Sequence, residues 1–306
     1  MVIDKAIAAA KARQGRIVLP EGDDPRVQSA AARLAAERLA EVFLIGGQAP
    51  GCTTLDVATD PRRGDLAALI SARREKMKPG MAERLLAKPA YYAGALVAAG
   101  HADTMVAGAA TPTRRIIEAG QMTIGLADGV ETPSSYFLMS MRAQTLIFAD
   151  CALNVAPNAA ELADIAIASA RSAEALLGEA RVALLSYSTL GSGAGVEVDR
   201  VTGALAIIKD RAPDLTIEGE FQADTALNRA IAAKKGAEGQ VAGRANVLIF
   251  PSLEAGNIAY KLVQELAGAQ AVGPFLQGFS RPICDLSRGA TVNDIIAASA
   301  VSLSVA

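Results

Sequence analysis

The chain has 306 residues, 51% of them hydrophobic and 20% charged, with a formal net charge of -2. That composition suits one large or two ordinary packed domains; it excludes a disordered chain and argues against a large nucleic-acid footprint. Charges interrupt the Ala- and Val-rich stretches throughout, so no apolar run reaches the roughly 18 residues of a membrane span.

Three cysteines, Cys52, Cys151 and Cys284, stand far apart with no CxxC pair. A disulfide framework is therefore not expected, and a reducing cytoplasm is. The single histidine, His101, leaves no His-rich metal site and no HExxH helix. It stands between a helix end and a strand, and reads as a helix-dipole partner rather than a member of a Ser-His-Asp triad.

In chain order, MVIDKAIAAAKARQGR reads as an amphipathic helix, because Asp4, Lys5 and Lys11 fall where a secretory signal needs its apolar core. RIVLP (16–20) reads as a strand, followed by a helix with Asp24 as N-cap and Pro25 at its first position. EVFLIG is the next strand, and residues 48–65 read as a surface loop. AYYAGALVAAG is a helix ending at Gly100, and DTMVAGA is a strand. Gly and Pro punctuate 127–133, which marks a domain crossover, and two strand-like runs, SSYFLMS and TLIFAD, follow with no helix between them. RVALLSYS, DLTIEGE and NVLIFPS are further strands, with helices starting near Asn158, Glu197, Gln222 and Leu253. Nearly all-apolar strands alternating with helical patterns predict βαβ units and a mainly parallel sheet covered on both faces.

Ligands of such folds gather at the loops beyond strand ends. LLSYSTLGSGAG (184–195) carries Ser186, Ser188, Thr189 and Ser192 among three glycines. Small hydroxyls and flexible backbone suit a phosphate, although the spacing lacks G-x-G-x-x-G and an ordinary Gly/Ser turn reads equally well. Glu218, Glu220, Gln222 and Asp224 sit at a strand-to-helix junction, where helix capping is the simpler reading than metal binding. PSLEAGNIAYK places Asn257 and Lys261 near a helix start, where Asn257 either donates to a substrate or caps a turn. DLSRGATVND (285–294) ends in a capping-box spelling, which alone explains Asp294. Its Ser287 and Arg288 also offer a hydroxyl donor and a planar phosphate-gripping fork.

Together, IVLPEGDDPRV, VALLSYSTLGSG, IEGEFQAD, ANVLIFPSLEAGNIAYK and DLSRGATVND resemble the phosphate acetyltransferases (phosphotransacetylases) of the phosphate acetyl/butyryltransferase family, in family order over nearly the whole chain. The resemblance implies reversible acetyl transfer between acetyl phosphate and CoA, with CoA as substrate and no metal or cofactor. It also implies two α/β/α domains similar to isocitrate dehydrogenases, mainly parallel sheets, an active site in the interdomain cleft, and a homodimer. The expected domains are 1–129 plus 278–306, and 130–277. By match to the motif, Asp294 is the base for the CoA thiol, and Ser287 and Arg288 position and polarise the acyl phosphate. Arg74, with Arg73 as the alternative, Arg114, Arg115, the Ser186, Ser188, Thr189 and Ser192 loop, Asn257 and Lys261 are expected to meet substrate. This sequence departs from the family pattern where Glu118 takes the place of an Arg in the helix after DTMVAGA, where Arg244 replaces a Lys, and where Glu265 replaces an Arg.

Other readings stand beside this one. The Glu118 substitution motivates a catalytically weak domain that senses acetyl-CoA. The architecture also suits an NAD(P)-dependent dehydrogenase, against which the lack of a trio of metal-binding aspartates counts. Acyl transfer through Cys151 or Cys284 lacks a nearby histidine, and both read better as small buried hydrophobes. A preference for propionyl or butyryl groups over acetyl is not legible, since one methylene is worth only about 1–3 kcal/mol.

Overall fold

The computed structural model describes residues 2–73 and 77–306. The chain forms two compact units, one running to Val130 and resuming over Phe279–Ala306, the other spanning Glu131–Gly278.

The first unit opens with helix α1 (Val2–Arg13) and strand β1 (Arg16–Leu19). Helix α2 (Pro25–Ala36) starts where the sequence signals it: the Asp24 carboxylate accepts from the Arg26 N–H, and Pro25 fills the first helical position. Strands β2 (Glu41–Ile45) and β3 (Thr53–Leu55) follow, then helices α3 (Arg63–Ala72), α4 (Pro79–Leu86) and α5 (Pro89–Ala98), strand β4 (Thr104–Ala107) and helix α6 (Thr113–Thr123). Residues 48–65 are therefore more than a loop: β3 pairs in parallel with β2 as an edge strand. Helix α5 is buried from Tyr91 to Val97, which explains its nearly uninterrupted apolar sequence.

The second unit begins with β5 (Ser134–Ser140) and β6 (Thr145–Ala149), which pair antiparallel, as two strands without an intervening helix must. Helix α7 (Ala159–Leu177) carries a full capping box from Asn158 and Glu161 and ends on Gly178. Then come β7 (Val182–Leu185), α8 (Val196–Arg211), β8 (Ile217–Phe221), the short helices α9 (Ala223–Leu227) and α10 (Arg229–Lys234), β9 (Val247–Ile249), α11 (Leu253–Ala267) and β10 (Gln270–Gln277). The order across this unit's strands is β10-β5-β6-β9-β7-β8; β10 and β5 pair antiparallel, and the pairs from β6 through β8 are parallel. Its core gathers Phe137, Phe148, Phe221, Phe250 and Tyr260, with the Phe137 and Tyr260 rings stacked at 4.1 Å.

The chain then completes the first unit with β11 (Ile283–Asp285) and helix α12 (Val292–Ser304). Strand β11 pairs in parallel with β4, giving the all-parallel order β3-β2-β1-β4-β11. Helix α12 packs on α1 and α2 and is buried from Ile295 to Leu303. The carboxyl ends of β1, β4 and β11 thus deliver adjacent loops to one edge of the first unit.

Helices α5 and α6 approach closely at Gly94, where an added Cβ would meet the Thr123 hydroxyl at 2.1 Å. That hydroxyl is held by its bond to the Ala119 carbonyl at 2.7 Å. Gly94→Ala is expected to cost about 1–3 kcal/mol by overpacking, read from urea unfolding; an unchanged midpoint would show that the two helices part easily.

Candidate active site

The loop from β11 to α12 carries Ser287 and Arg288 on the surface. Its far end is fixed by a reciprocal cap: the Thr291 N–H and hydroxyl donate to Asp294 Oδ2 at 2.9 and 2.7 Å, and the Asp294 N–H donates back to the Thr291 hydroxyl at 3.2 Å. The capping box read from the sequence is present, and it holds the Asp294 carboxylate at the first turn of α12, seven residues after Ser287 and half-buried. The loop's near end is a tight turn, with the Gly289 N–H directed at the Ser287 hydroxyl at 3.3 Å and the Ala290 N–H on the Ser287 carbonyl at 2.9 Å. Arg288 makes no ion pair among the described residues.

Two groups that the sequence reading passed over shape this edge. Arg26 donates from Nη1 to the carbonyls of Arg288 (2.8 Å) and Ala290 (2.9 Å), and from Nη2 to the carbonyl of Ala109 (2.9 Å). Asp24 grips the other side of the same guanidinium at 3.1 and 2.7 Å, and this hydrogen bonding holds the Asp24 carboxyl below its usual range. Glu21, just past β1, accepts backbone N–H bonds from Ala109, Ala110 and Thr111 at 2.8, 3.1 and 2.7 Å. A carboxylate thus occupies the anion-binding concavity formed by the loop after β4. Glu21 also lines a cavity of about 400 Å3 with Asp23, Lys88, Tyr91, Thr111 and Arg115, at the starts of α5 and α6.

Beneath the Ser287 turn lies Asp285, the last residue of β11. It is 0% exposed, and neither of its oxygens has a hydrogen-bond partner. Burial pushes its acid up to about 7; the Thr113 hydroxyl pulls the other way without reaching hydrogen-bond geometry, nearby Glu21 adds to the rise, and Arg288 opposes it. The backbone opposite is Gly108, at φ +106°, where an added Cβ would meet Asp285 Oδ1 at 2.4 Å.

On α6, Arg114 and Arg115 do not point independently at a ligand. Glu118 binds both, Arg114 Nε at 3.0 Å and Arg115 Nη1 at 3.3 Å. The Glu118 carboxylate therefore gathers its two basic neighbours at i−4 and i−3. Arg73 directs its guanidinium toward the terminal carbonyls of Ala98, Thr123 and Ile124 at 3.3–3.4 Å, a helix-end role. Arg74 lies outside the described residues.

In the second unit the Gly-rich loop after β7 is built around Glu220. This carboxylate accepts the Ser188 hydroxyl at 2.7 Å and the Gly191 N–H at 2.8 Å. Burial raises its acid, but these two donors and the residue's own N–H together outweigh burial and leave it below the usual range. Thr189 is also turned inward, with its hydroxyl accepting the Gln222 N–H at 2.9 Å and lying 3.2 Å from the Thr225 hydroxyl. Ser192 accepts the Thr189 N–H at 2.9 Å, and Ser186 accepts the Ser188 N–H at 3.1 Å. Ser192 is exposed and Ser186 half-buried, so these two reach solvent, whereas Ser188 and Thr189 hold the loop's shape. The acidic cluster does more than cap helices: Glu218 accepts the N–H groups of Gln240, Val241 and Ala242, tying down a separate loop. Asn257 donates to the Cys151 carbonyl at 3.1 Å, which makes it a brace for the turn after β6, and the exposed Lys261 ammonium lies 4.8 Å from the Tyr260 ring centre. Cys151 and Cys284 are fully buried, and burial raises both thiols well above their ordinary value, as small interior hydrophobes require. Among the described residues no three His, Cys, Asp or Glu side chains gather as a metal-binding group, and no helix is long and apolar enough to cross a membrane.

Comparison with known proteins adds a family. The sequence model described as phosphate acetyl/butaryl transferase matches residues 1–303. The chain is 44% identical to a phosphate acetyltransferase from Paracoccus denitrificans, over 98% of each. Its structure is similar to that of a phosphotransacetylase from Streptococcus pyogenes, with a TM-score of 0.92 and 34% identity over 99% of this chain and 97% of the other. A 4-hydroxythreonine-4-phosphate dehydrogenase from Klebsiella pneumoniae shares the fold alone, with a TM-score of 0.54 and 13% identity over 94% of this chain and 98% of the other.

Glu220→Gln turns an accepting oxygen of the Gly-rich loop into a donor or a weaker acceptor. It is expected to cost about 1–3 kcal/mol at pH 7. Because the wild-type acid is lowered by folding, that advantage is present above the ordinary carboxylate range of about 4.3 and fades as pH falls below it. Denaturant unfolding at pH 7 and near pH 3 checks both statements; a gap that stays constant with pH would assign the loss to packing instead.

Proposed function

The chain belongs to the phosphate acetyl/butaryl transferase family, and from that premise we propose that it is a phosphate acetyltransferase, moving an acetyl group reversibly between acetyl phosphate and CoA. The observation that carries this reading is the match along nearly the whole chain, at 44% identity to a protein named for that activity. It needs two small-molecule substrates and no resident cofactor.

The chemistry follows from the loop before α12. A free thiol has a pKa of about 8.5, so it needs only a modest base and a cationic surrounding to react as thiolate near neutrality. In this reading Asp294, held by its cap, takes the CoA thiol proton. The thiolate sulfur bonds to the acetyl carbon, the bond from that carbon to the bridging oxygen breaks, and phosphate departs with that oxygen and the electron pair. Arg288 and the Ser287 hydroxyl meet the phosphoryl oxygens and the charge that develops on the carbonyl. Arg26 pins the turn's carbonyls, which leaves the two side chains outward. The nucleophile is CoA's own sulfur, in keeping with the buried, raised thiols of Cys151 and Cys284.

Among the second-unit residues that the resemblance implies, Ser186, Ser192 and Lys261 reach solvent, while Ser188, Thr189 and Asn257 act by holding backbone in place. Arg115 lines the cavity beside Lys88, where an anionic portion of a substrate would meet both cations. Arg114 and Arg74 complete the basic set that the resemblance implies. The same reading makes the protein a cytoplasmic homodimer, on the strength of its unpaired cysteines and the family resemblance. The Glu118 fork is the observation that favours a second reading, an acetyl-CoA-binding domain of low turnover.

Thioester formation from CoA and acetyl phosphate tests the first reading. Arg288→Ala is expected to lower turnover about 10²–10³-fold and Asp294→Asn about 10²–10⁴-fold. Thr291→Ala separates the base from the cap, since it loses about 1 kcal/mol of stability while keeping the carboxylate. Wild-type turnover in Asp294→Asn would reduce that residue to its cap, and CoA binding without thioester would select the second reading.

A further inference from the structure

Asp285 is an anomaly that neither the cap nor the Arg26 clamp explains. A fully buried carboxyl ordinarily has hydrogen-bond partners, yet both oxygens of this one lack any. A carboxylate in that state is costly, and the protonated form is what such a place favours. Its surroundings carry charge from more than one direction. Glu21, from the loop after β1, repels a second negative charge; Arg288, three residues along its own loop, attracts one. From α6 the Thr113 hydroxyl stands nearby, while that helix's charges, Arg114, Arg115 and Glu118, pair with one another at its surface. Helix α12 contributes one charged residue, Asp294, within its cap. Strand β4 contributes no charge, and Gly108 at its end leaves room for the carboxyl alone. Burial is the largest influence on the charge of Asp285, Thr113 opposes it, and Glu21 and Arg288 tune it from opposite sides.

We propose that Asp285 is a positioning residue that acts through Arg288: it takes up a proton from solvent when a phosphoryl anion docks at the Ser287–Arg288 turn, and so makes the affinity for that anion fall as pH rises. This inference rests on the reading of that turn as the phosphoryl site. The physical sequence is short. An arriving anion adds negative charge above Asp285 and engages Arg288, a cation that favours the ionised carboxyl. Both changes favour the neutral acid. With the unliganded acid at about 7, binding near neutrality is accompanied by partial proton uptake. Below that pH the proton is already present and affinity is level. Above it, each binding event must recruit the proton, and affinity declines until the acid of the liganded form is also lost. A shift of one unit on binding corresponds to a tenfold change.

The test follows KM for acetyl phosphate and kcat separately, from pH 6 to pH 8.5. In wild type KM should rise about tenfold across this range, as a shift of about one unit dictates. Asp285→Asn keeps the shape and removes the titration, so its KM should be level over the same range. Thr113→Val removes a hydroxyl that favours the charged carboxyl, so the midpoint of the rise should move to higher pH. This milder variant also answers the case in which Asp285→Asn fails to fold. Sulfate supplies an arm independent of turnover, because its charge is constant over this range. It should raise the Tm of wild type more at pH 6 than at pH 8.5, and that of Asp285→Asn equally at both. A protein that forms no thioester but shows this sulfate pattern would lose the proposed activity and keep the inference. Equal pH slopes in wild type and Asp285→Asn, an unmoved midpoint in Thr113→Val, or no effect of sulfate at either pH would overturn it.

Discussion

One guanidinium organises the edge of the first unit. Arg26 has its donors divided among the Ala109, Arg288 and Ala290 carbonyls and the Asp24 carboxylate, so three loops from different strands converge on a planar fork. A lysine has the charge but not the fixed directions, and it would leave some of these carbonyls without a partner. The Asp24 contact serves a second end, because the same carboxylate starts helix α2. Helix initiation and loop placement are thus one interaction.

Carboxylates perform the complementary task throughout. Glu21, Asp150, Glu218 and Glu220 each accept backbone N–H groups from a loop, and three of them do so for a segment remote in sequence. A buried loop must satisfy its amides or lose the free energy of leaving water. In this chain an acidic side chain supplies the acceptors. Asp285 is the exception, a carboxyl without any such donors, and its protonation state is correspondingly open to its surroundings.

The apolar strands, the Asp24-Pro25 start, the helix start near Asn158 and the two successive strands after residue 133 were all legible because local pattern determines them. Strand β3 was not, since three residues at a sheet edge, two of them threonine, carry no apolar run. Strand β10 hides Pro274 in its middle, which argues against a strand, and β11 is three residues long. The Ser287–Arg288 turn and the Asp294 cap stood out as a motif. Arg26 and Glu21 did not, because their partners lie up to 264 residues away and only the folded chain brings them together. The Gly-rich loop misled in part: its hydroxyls suggested a phosphate, but two of them face inward to Glu220, Gln222 and Thr225.

The burial of the cysteines bears on a hazard of handling activated acyl groups. Acetyl phosphate acylates any thiolate it meets, and an enzyme that binds it all day is its nearest target. Cys151 and Cys284 are sealed in the interior with their thiols held protonated, and burial raises the half-buried Cys52 as well. In a protein with this function, the sulfur that accepts the acyl group is the one the substrate brings, and the two buried thiols are kept from competing for it.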